Sequence, residues 1–215
     1  MDFNRFHLPI ILLLVFSAEV SQAPAADITG DSNWVTLFNG KDLAGWTVMN
    51  NGLFTVTNGV LHLEKSMGWL RTDRQYTDFI LEAEWRALQT NYNSGFFLRA
   101  GTNGEPFPDH VWQVNLKESS LGALLKGRDT VVPSKTPGFP ADTWVTFRME
   151  VRGKKLALDV NGERVWEFSE LDFDRGYIGI QAEGKSFDFR NVRVWELSAD
   201  SPPPPSFAPA PRSEH

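Results

Sequence analysis

The chain has 215 residues, 41% hydrophobic and 22% charged, with a formal net charge of −6. That balance suits one soluble domain and argues against nucleic acid or an anionic membrane surface as the main partner. There is no cysteine, which excludes disulfides, thiolate metal sites, a cysteine nucleophile and a lipid-modified cysteine; 8 Trp and 16 Phe supply the burial that must hold the fold instead.

At the start, Arg5 and His7 precede a short apolar run at residues 8–15, followed by the small residues Ser21, Ala23, Ala25 and Ala26. This is the layout of a secretory signal peptide, and the run is too short for an ordinary transmembrane helix. Ser21-Gln22-Ala23 fits a small-x-small cleavage site. Residues 1–23 are therefore read as an export signal, 24–32 as a flexible lead-in, and the mature chain as periplasmic or secreted, with no transmembrane segment. An uncleaved membrane anchor is the competing reading. Residues 198–215 are rich in proline and small side chains and cannot offset their ordering entropy, which predicts a disordered tail. The folded body is then 33–197.

Within it, residues 34–38 form a short β-like run ending at Asn39-Gly40, and 42–46 read as a compact loop. Residues 53–57 and 60–64 straddle Asn58-Gly59, the strongest hairpin signal in the chain. After a short extended segment at 69–71, residues 79–86 alternate. Phe79, Leu81, Ala83 and Trp85 fall on one side, and Ile80, Glu82, Glu84 and Arg86 on the other. A tight connection at 91–95 leads to residues 96–100, where Phe97 and Arg99 share one face and Phe96, Leu98 and Ala100 the opposite one. The simplest account of charges inside these strands is a solvated outer face.

Residues 101–109 are a Gly/Pro-rich loop. Alternation returns at 110–116, with Val111, Gln113 and Asn115 on one face and Trp112, Val114 and Leu116 on the other. Residues 117–140 have no clean period and read as loop with at most a short strand at 123–125; loops of that length are often functional. Residues 143–151, 155–160, 164–168, 177–182 and 186–196 are β-like, the second and third of these joined by Asn161-Gly162. No amphipathic helix exceeds two turns. The prediction is an all-β, antiparallel two-sheet β-sandwich.

Seven stretches, in order, carry a family likeness: LFNGKDLAGW (37–46), GWLRTDRQYTDFILEAEWR (68–86), NSGFFLRA (93–100), VWQVNLKE (111–118), LGALL (121–125), TFRMEVRGKKLALDVNGERV (146–165) and GYIGIQAEGKSFDFRNVRV (176–194). Together they resemble the 3-keto-disaccharide hydrolase domain, a bacterial family with a concanavalin A-like jelly roll. The resemblance implies an oxidised disaccharide or glycoside as partner, its C3 hydroxyl converted to a ketone. The ketone acidifies the C2 proton, so a base can remove it, the C1 oxygen can leave, and water can add to the resulting 2-hydroxyglucal. Such a site needs a base near C2, a cation or donors for the enolate oxygen, and a proton for the leaving oxygen. A divalent metal could serve the enolate.

Carried over residue by residue, the resemblance implies Arg71 and Arg99 as cations at the sugar or enolate, and Glu84 as base or metal ligand. For all three the competing reading is a structural ion pair. Trp69 is a candidate to stack on a sugar face. Gln113 stands where the family often has a carboxylate, and an amide cannot take a proton at neutral pH. The base would then be Glu118 or Glu84, or the protein would be a binder. His110 could be a base or ligand; His62 and His110 are too far apart in sequence to give metal-ligand spacing. Asn93, Asn115, Gln181 and Glu183 complete the expected substrate-binding set. A non-catalytic carbohydrate-binding module of the same fold is the alternative, and an envelope protein using its proline-rich tail a third. A glycosidase built on Glu82 and Glu84 lacks a facing partner strand.

Overall fold

The computed structural model describes residues 33–198 and Ser201. The export signal, the lead-in and the rest of the proline-rich tail lie outside the described residues. Fifteen strands make up the body, beginning with β1 (Trp34–Thr36), β2 (Trp46–Asn51), β3 (Phe54–Thr57), β4 (Val60–Leu63) and β5 (Met67–Tyr76). Next come β6 (Phe79–Ala87), β7 (Gly95–Ala100), β8 (Trp112–Asn115), β9 (Leu124–Lys126) and β10 (Asp129–Val132). The last five are β11 (Val145–Arg152), β12 (Lys155–Val160), β13 (Glu163–Phe168), β14 (Gly176–Glu183) and β15 (Phe187–Glu196). Among the described residues the only helix is a single 3-10 turn, Glu118–Ser120.

These strands form two antiparallel sheets. The first runs β13-β12-β11-β6-β15-β4-β3, with β1 added beside β15; the second runs β10-β9-β8-β7-β14-β5-β2. Alternation dictates what lies between them. Phe79, Leu81, Ala83 and Trp85 of β6 point inward, as do Phe147 and Met149 of β11 and Phe187 and Phe189 of β15. Phe96 and Leu98 of β7, Val114 of β8 and Ile178 and Ile180 of β14 meet them from the second sheet. The rings pack edge-on: Trp85 on Phe147 at 5.5 Å and 90°, Tyr92 on Phe187 at 5.9 Å and 85°, and Phe96 on Phe189 at 5.8 Å and 78°. Each such pair contributes about 0.5–1.5 kcal/mol beyond its buried area.

The sandwich departs from the sequence reading in three places. The tight connection read at 91–95 does not pair β6 with β7 but crosses from the first sheet to the second. Strand β2 fills a stretch left unassigned after the loop at 42–46, and the short strand allowed at 123–125 is β9, which a further strand, β10, extends into a hairpin where only loop was expected. Both β2 and β10 are edge strands, β10 mostly exposed and β2 half exposed, so they lack the apolar alternation that marks a buried strand. The alternation in β7 also breaks. Arg99 adopts a φ of 48°, and the β14–β7 register shifts between Tyr177 and Gly179. This irregularity puts Ala100 with Phe97 in a separate apolar cluster and frees Arg99 from the face predicted for it.

Arg99 is buried at 3% exposure and is a clasp, not a sugar ligand. Its guanidinium donates to the carbonyls of Thr77 (2.8 Å), Gly153 (2.8 Å) and Phe173 (2.5 Å), and to Asp78 (2.9 Å). It therefore ties together three connections at one end of the sandwich. Arg99→Ala would strand these acceptors and an unpaired Asp78, with an expected loss of about 3–5 kcal/mol in urea unfolding; a loss below about 1 kcal/mol would contradict the clasp.

Candidate functional site

The outer faces of the two sheets differ in chemistry. On the first, charges are spent on one another. Glu82 accepts from Arg193 Nε and Nη2 (2.9 and 2.5 Å), with Arg148 at 3.7 Å. Glu84 accepts from Arg190 Nε (2.7 Å) and Asn191 Nδ2 (2.6 Å). The same arginines lie over aromatic faces, Arg190 over Trp144 at 4.0 Å and Arg193 over Trp34 at 4.4 Å. Asp188 joins Arg86 and His62 beside them. The expectation that Glu84 acts beside Gln113 is thus corrected, because the two residues lie on different sheets and Glu84 is held by its own partners.

The second sheet carries a groove of about 810 Å³. Its floor is built from outward positions on β8 and β14, Gln113, Asn115, Gln181 and Glu183, with Asn93 leading into β7 and Lys117 following β8. Register aligns them: Gly95 of β7 lies opposite Asn115, and Phe97 opposite Gln113. Gly95 has a local purpose. A Cβ there would overlap the Gln113 side chain, so its absence lets that amide pass over β7. Gln113 Nε2 then donates to Gln181 Oε1 on β14 at 2.9 Å, and to Asn115 Oδ1 at 3.4 Å. Asn115 Nδ2 donates to Ser120 Oγ at 2.9 Å. Five predicted residues, Asn93, Gln113, Asn115, Gln181 and Glu183, are brought together here.

Glu183 is the carboxylate in this floor. Partial burial raises its pKa above the ordinary glutamate range; Lys117, Asn93, Arg128 and Gln181 oppose the shift. Because Gln181 Oε1 already accepts from Gln113, its amide nitrogen is left to face that carboxylate.

One wall of the groove is a strap, residues 105–109. Asn50 Nδ2 holds it through the Pro106 carbonyl at 2.7 Å. Beneath the strap, Trp69, Phe97, Ala100 and Val111 form their own apolar cluster with Met49 and Phe107. Trp69 is 1% exposed and does not line the groove, so its expected role as a stacking platform is corrected. Room for its ring comes from Gly179, where a Cβ would meet it at 2.7 Å. Arg71 lies outside the groove as well, stacked over Tyr177 at 4.5 Å and bonded to the Thr72 carbonyl.

Two further expectations are corrected. Glu118 turns back to accept the N–H of Asn91, fixing the sheet-crossing connection instead of entering the groove. His110 stacks flat on Phe173, centroids 5.3 Å apart at 2°, and does not line the groove. The sequence reading missed Lys117, Ser120 and Arg128. Their only signal was the long aperiodic stretch at 117–140, which could not say where it folded. Nor does the donor set suit the divalent metal considered above. The floor amides are engaged with one another, Glu183 faces two cations, and no three His, Asp or Glu side chains converge among the described residues.

Comparison with known proteins agrees with this architecture. The model of the 3-keto-alpha-glucoside-1,2-lyase-like domain matches residues 33–195, and the chain belongs to that family. A candidate glycosyl hydrolase from Parabacteroides distasonis ATCC 8503 superposes with a TM-score of 0.63 at 20% identity, covering 78% of this chain and 95% of that one. The carbohydrate-binding module CBM66 from Bacillus subtilis gives 0.60 at 16% identity, over 71% and 96%. A Bacillus subtilis protein of unknown function with a galectin-like fold gives 0.61 at 13%, over 76% and 94%. At these identities the structures establish a shared fold, the jelly roll expected from the sequence. No curated protein sequence matches the chain.

The raised pKa of Glu183 has a consequence for stability. The folded chain holds this proton more tightly than the unfolded one, so stability falls as pH rises from the ordinary glutamate value, about 4.3, through the raised one. Glu183→Gln removes that cost. Thermal unfolding should show a higher Tm than wild type at pH 7, and a difference that closes near pH 4. An equal or lower Tm at pH 7 would contradict the burial of this carboxylate.

Proposed function

We propose that the domain cleaves glycosides whose C3 hydroxyl has been oxidised to a ketone, by proton removal at C2 and loss of the C1 substituent. The observation that carries this reading is Glu183, a carboxylate made more basic by burial, in the floor of a polar groove and beside Lys117. A general base works best with a pKa raised toward the operating pH.

In this scheme Glu183 takes the C2 proton, and the electron pair moves into a C2=C3 enolate whose negative charge rests on O3. Lys117 is the cation placed to stabilise that charge. The enolate re-forms the ketone as the C1–O bond breaks, and the departing oxygen takes a proton from Glu183 or water. Addition of water across C1 and C2 of the hydroxyglucal completes a net hydrolysis. Asn93, Asn115 and Gln181 offer the hydrogen bonds that hold sugar hydroxyls in register.

One observation favours a second reading, a carbohydrate-binding module. Gln113 occupies the centre of the groove, and its amide, tied to Gln181 and Asn115, accepts no proton.

The two readings separate in one assay. Purified protein is incubated with a 3-keto-disaccharide and with its unoxidised parent, following free sugar and the ultraviolet absorbance of a keto-glucal. Turnover of the keto compound alone is expected. Glu183→Gln should lower kcat by about 10²–10⁴-fold, while Glu84→Gln, on the other sheet, leaves it unchanged. Saturable binding without turnover would establish the binding module, and neither binding nor turnover would overturn both.

A further inference from the structure

The groove has a second end, beyond the residues used for the chemistry, and its chemistry is different. Lys126 pairs with Asp129 across Gly127-Arg128, making the β9–β10 connection a two-residue turn with Gly127 at a φ of 58°. The Gly127 N–H donates to the Val111 carbonyl at 3.1 Å, which seats this tip on the start of β8. Lys126 turns away to Asp172 and over Trp112 at 5.5 Å. Arg128 turns the other way and lines the groove.

Arg128 has no hydrogen bond or ion pair. That sets it apart from the arginines of the first sheet, Arg86, Arg148, Arg152, Arg164, Arg190 and Arg193, every one of which is ion-paired. Carboxylates are at hand, since Glu105 and Asp109 of the strap line the same groove, yet neither pairs with it. The guanidinium keeps all five N–H donors for something else.

Position says what that is. Lys117, beside Glu183, and Val111, beneath the Arg128 turn, flank β8 six positions apart in the chain, at most roughly 20 Å in extended backbone. Both Arg128 and Glu183 line the groove, and the charge of Arg128 opposes the rise in the Glu183 pKa. With the reacting ring over Glu183, a C1 substituent that runs along the groove toward its other end comes to Arg128. Resting on the keto-glycoside reading above, we propose that Arg128 is an anion-recognition residue and that the glycosides accepted carry a carboxylate on the group leaving from C1. A guanidinium fork and a carboxylate are matched for two parallel hydrogen bonds.

The test compares disaccharides with their aldonates, in which the reducing end is oxidised to a carboxylate. Maltose and cellobiose are each paired with the corresponding aldonate, with and without oxidation of the non-reducing ring at C3. Calorimetry reads affinity, and KM is added where turnover occurs. At low salt the aldonates should bind about fivefold more tightly than the neutral disaccharides. The preference should shrink toward 1 M salt, where the Debye length is about 3 Å. Arg128→Gln should abolish it while leaving affinity for the neutral sugars unchanged; at an exposed turn this change does not threaten folding. Equal affinities in wild type, or a preference that survives Arg128→Gln, would overturn the inference and leave the sugar-binding reading standing. Binding of no sugar at all would sink the carbohydrate reading and this inference with it.

Discussion

The aromatic layer between the sheets, centred on Trp85, Phe147, Phe187 and Phe96, is the interaction on which everything else rests. A chain without cysteine has no covalent staple, so burial of this layer must offset the ordering of some 160 residues. Every long strand gives one face to it. Polar chemistry is thereby confined to the two outer faces and to the connections at the ends. Arg99 takes one of those ends, joining three connections through backbone carbonyls.

The outer faces divide the remaining polar groups unequally. On the first sheet, carboxylates and guanidiniums pair with one another beside Trp34 and Trp144, Glu82 Oε2 alone among these carboxylate oxygens being buried without a hydrogen bond. On the second, the strap covers the aromatic half around Trp69 and Phe97, and the other half is left as a groove of amides with one basic carboxylate. Glycines on β7 and β14 make both halves possible, by letting Gln113 and Trp69 lie across neighbouring strands. Holding Glu183 partly buried costs stability at pH values above the ordinary glutamate range.

Much of this was legible in the residues. Period-two alternation located β6, β8, β11 and β14 and grouped on one face the side chains of β6 and β8 that turn out to point inward, because each has one fully buried face. The shared face of Gln113 and Asn115 was legible for the same reason, and Gln181 and Glu183 follow from their strand. Sheet membership was not. Alternation reports which side chains share a face, never which sheet the strand joins, so Glu84 and Gln113 were placed in one site although the core separates them. Arg99 was lost to a break in alternation, which depends on a backbone conformation that composition does not announce. Trp69 is covered by a distant segment whose anchor, Asn50 to Pro106, is a tertiary contact without local signature.

The claim that most needs testing is the location of the sugar site. The direct measurement is an NMR titration of the side-chain amide and indole N–H resonances with a 3-keto-disaccharide. The account predicts that the amides of Asn93, Gln113, Asn115 and Gln181 shift together and saturate, while the indoles of Trp34 and Trp144 stay in place. Movement of those indoles, with the four amides unmoved, would put the ligand on the other sheet and contradict the account at its root.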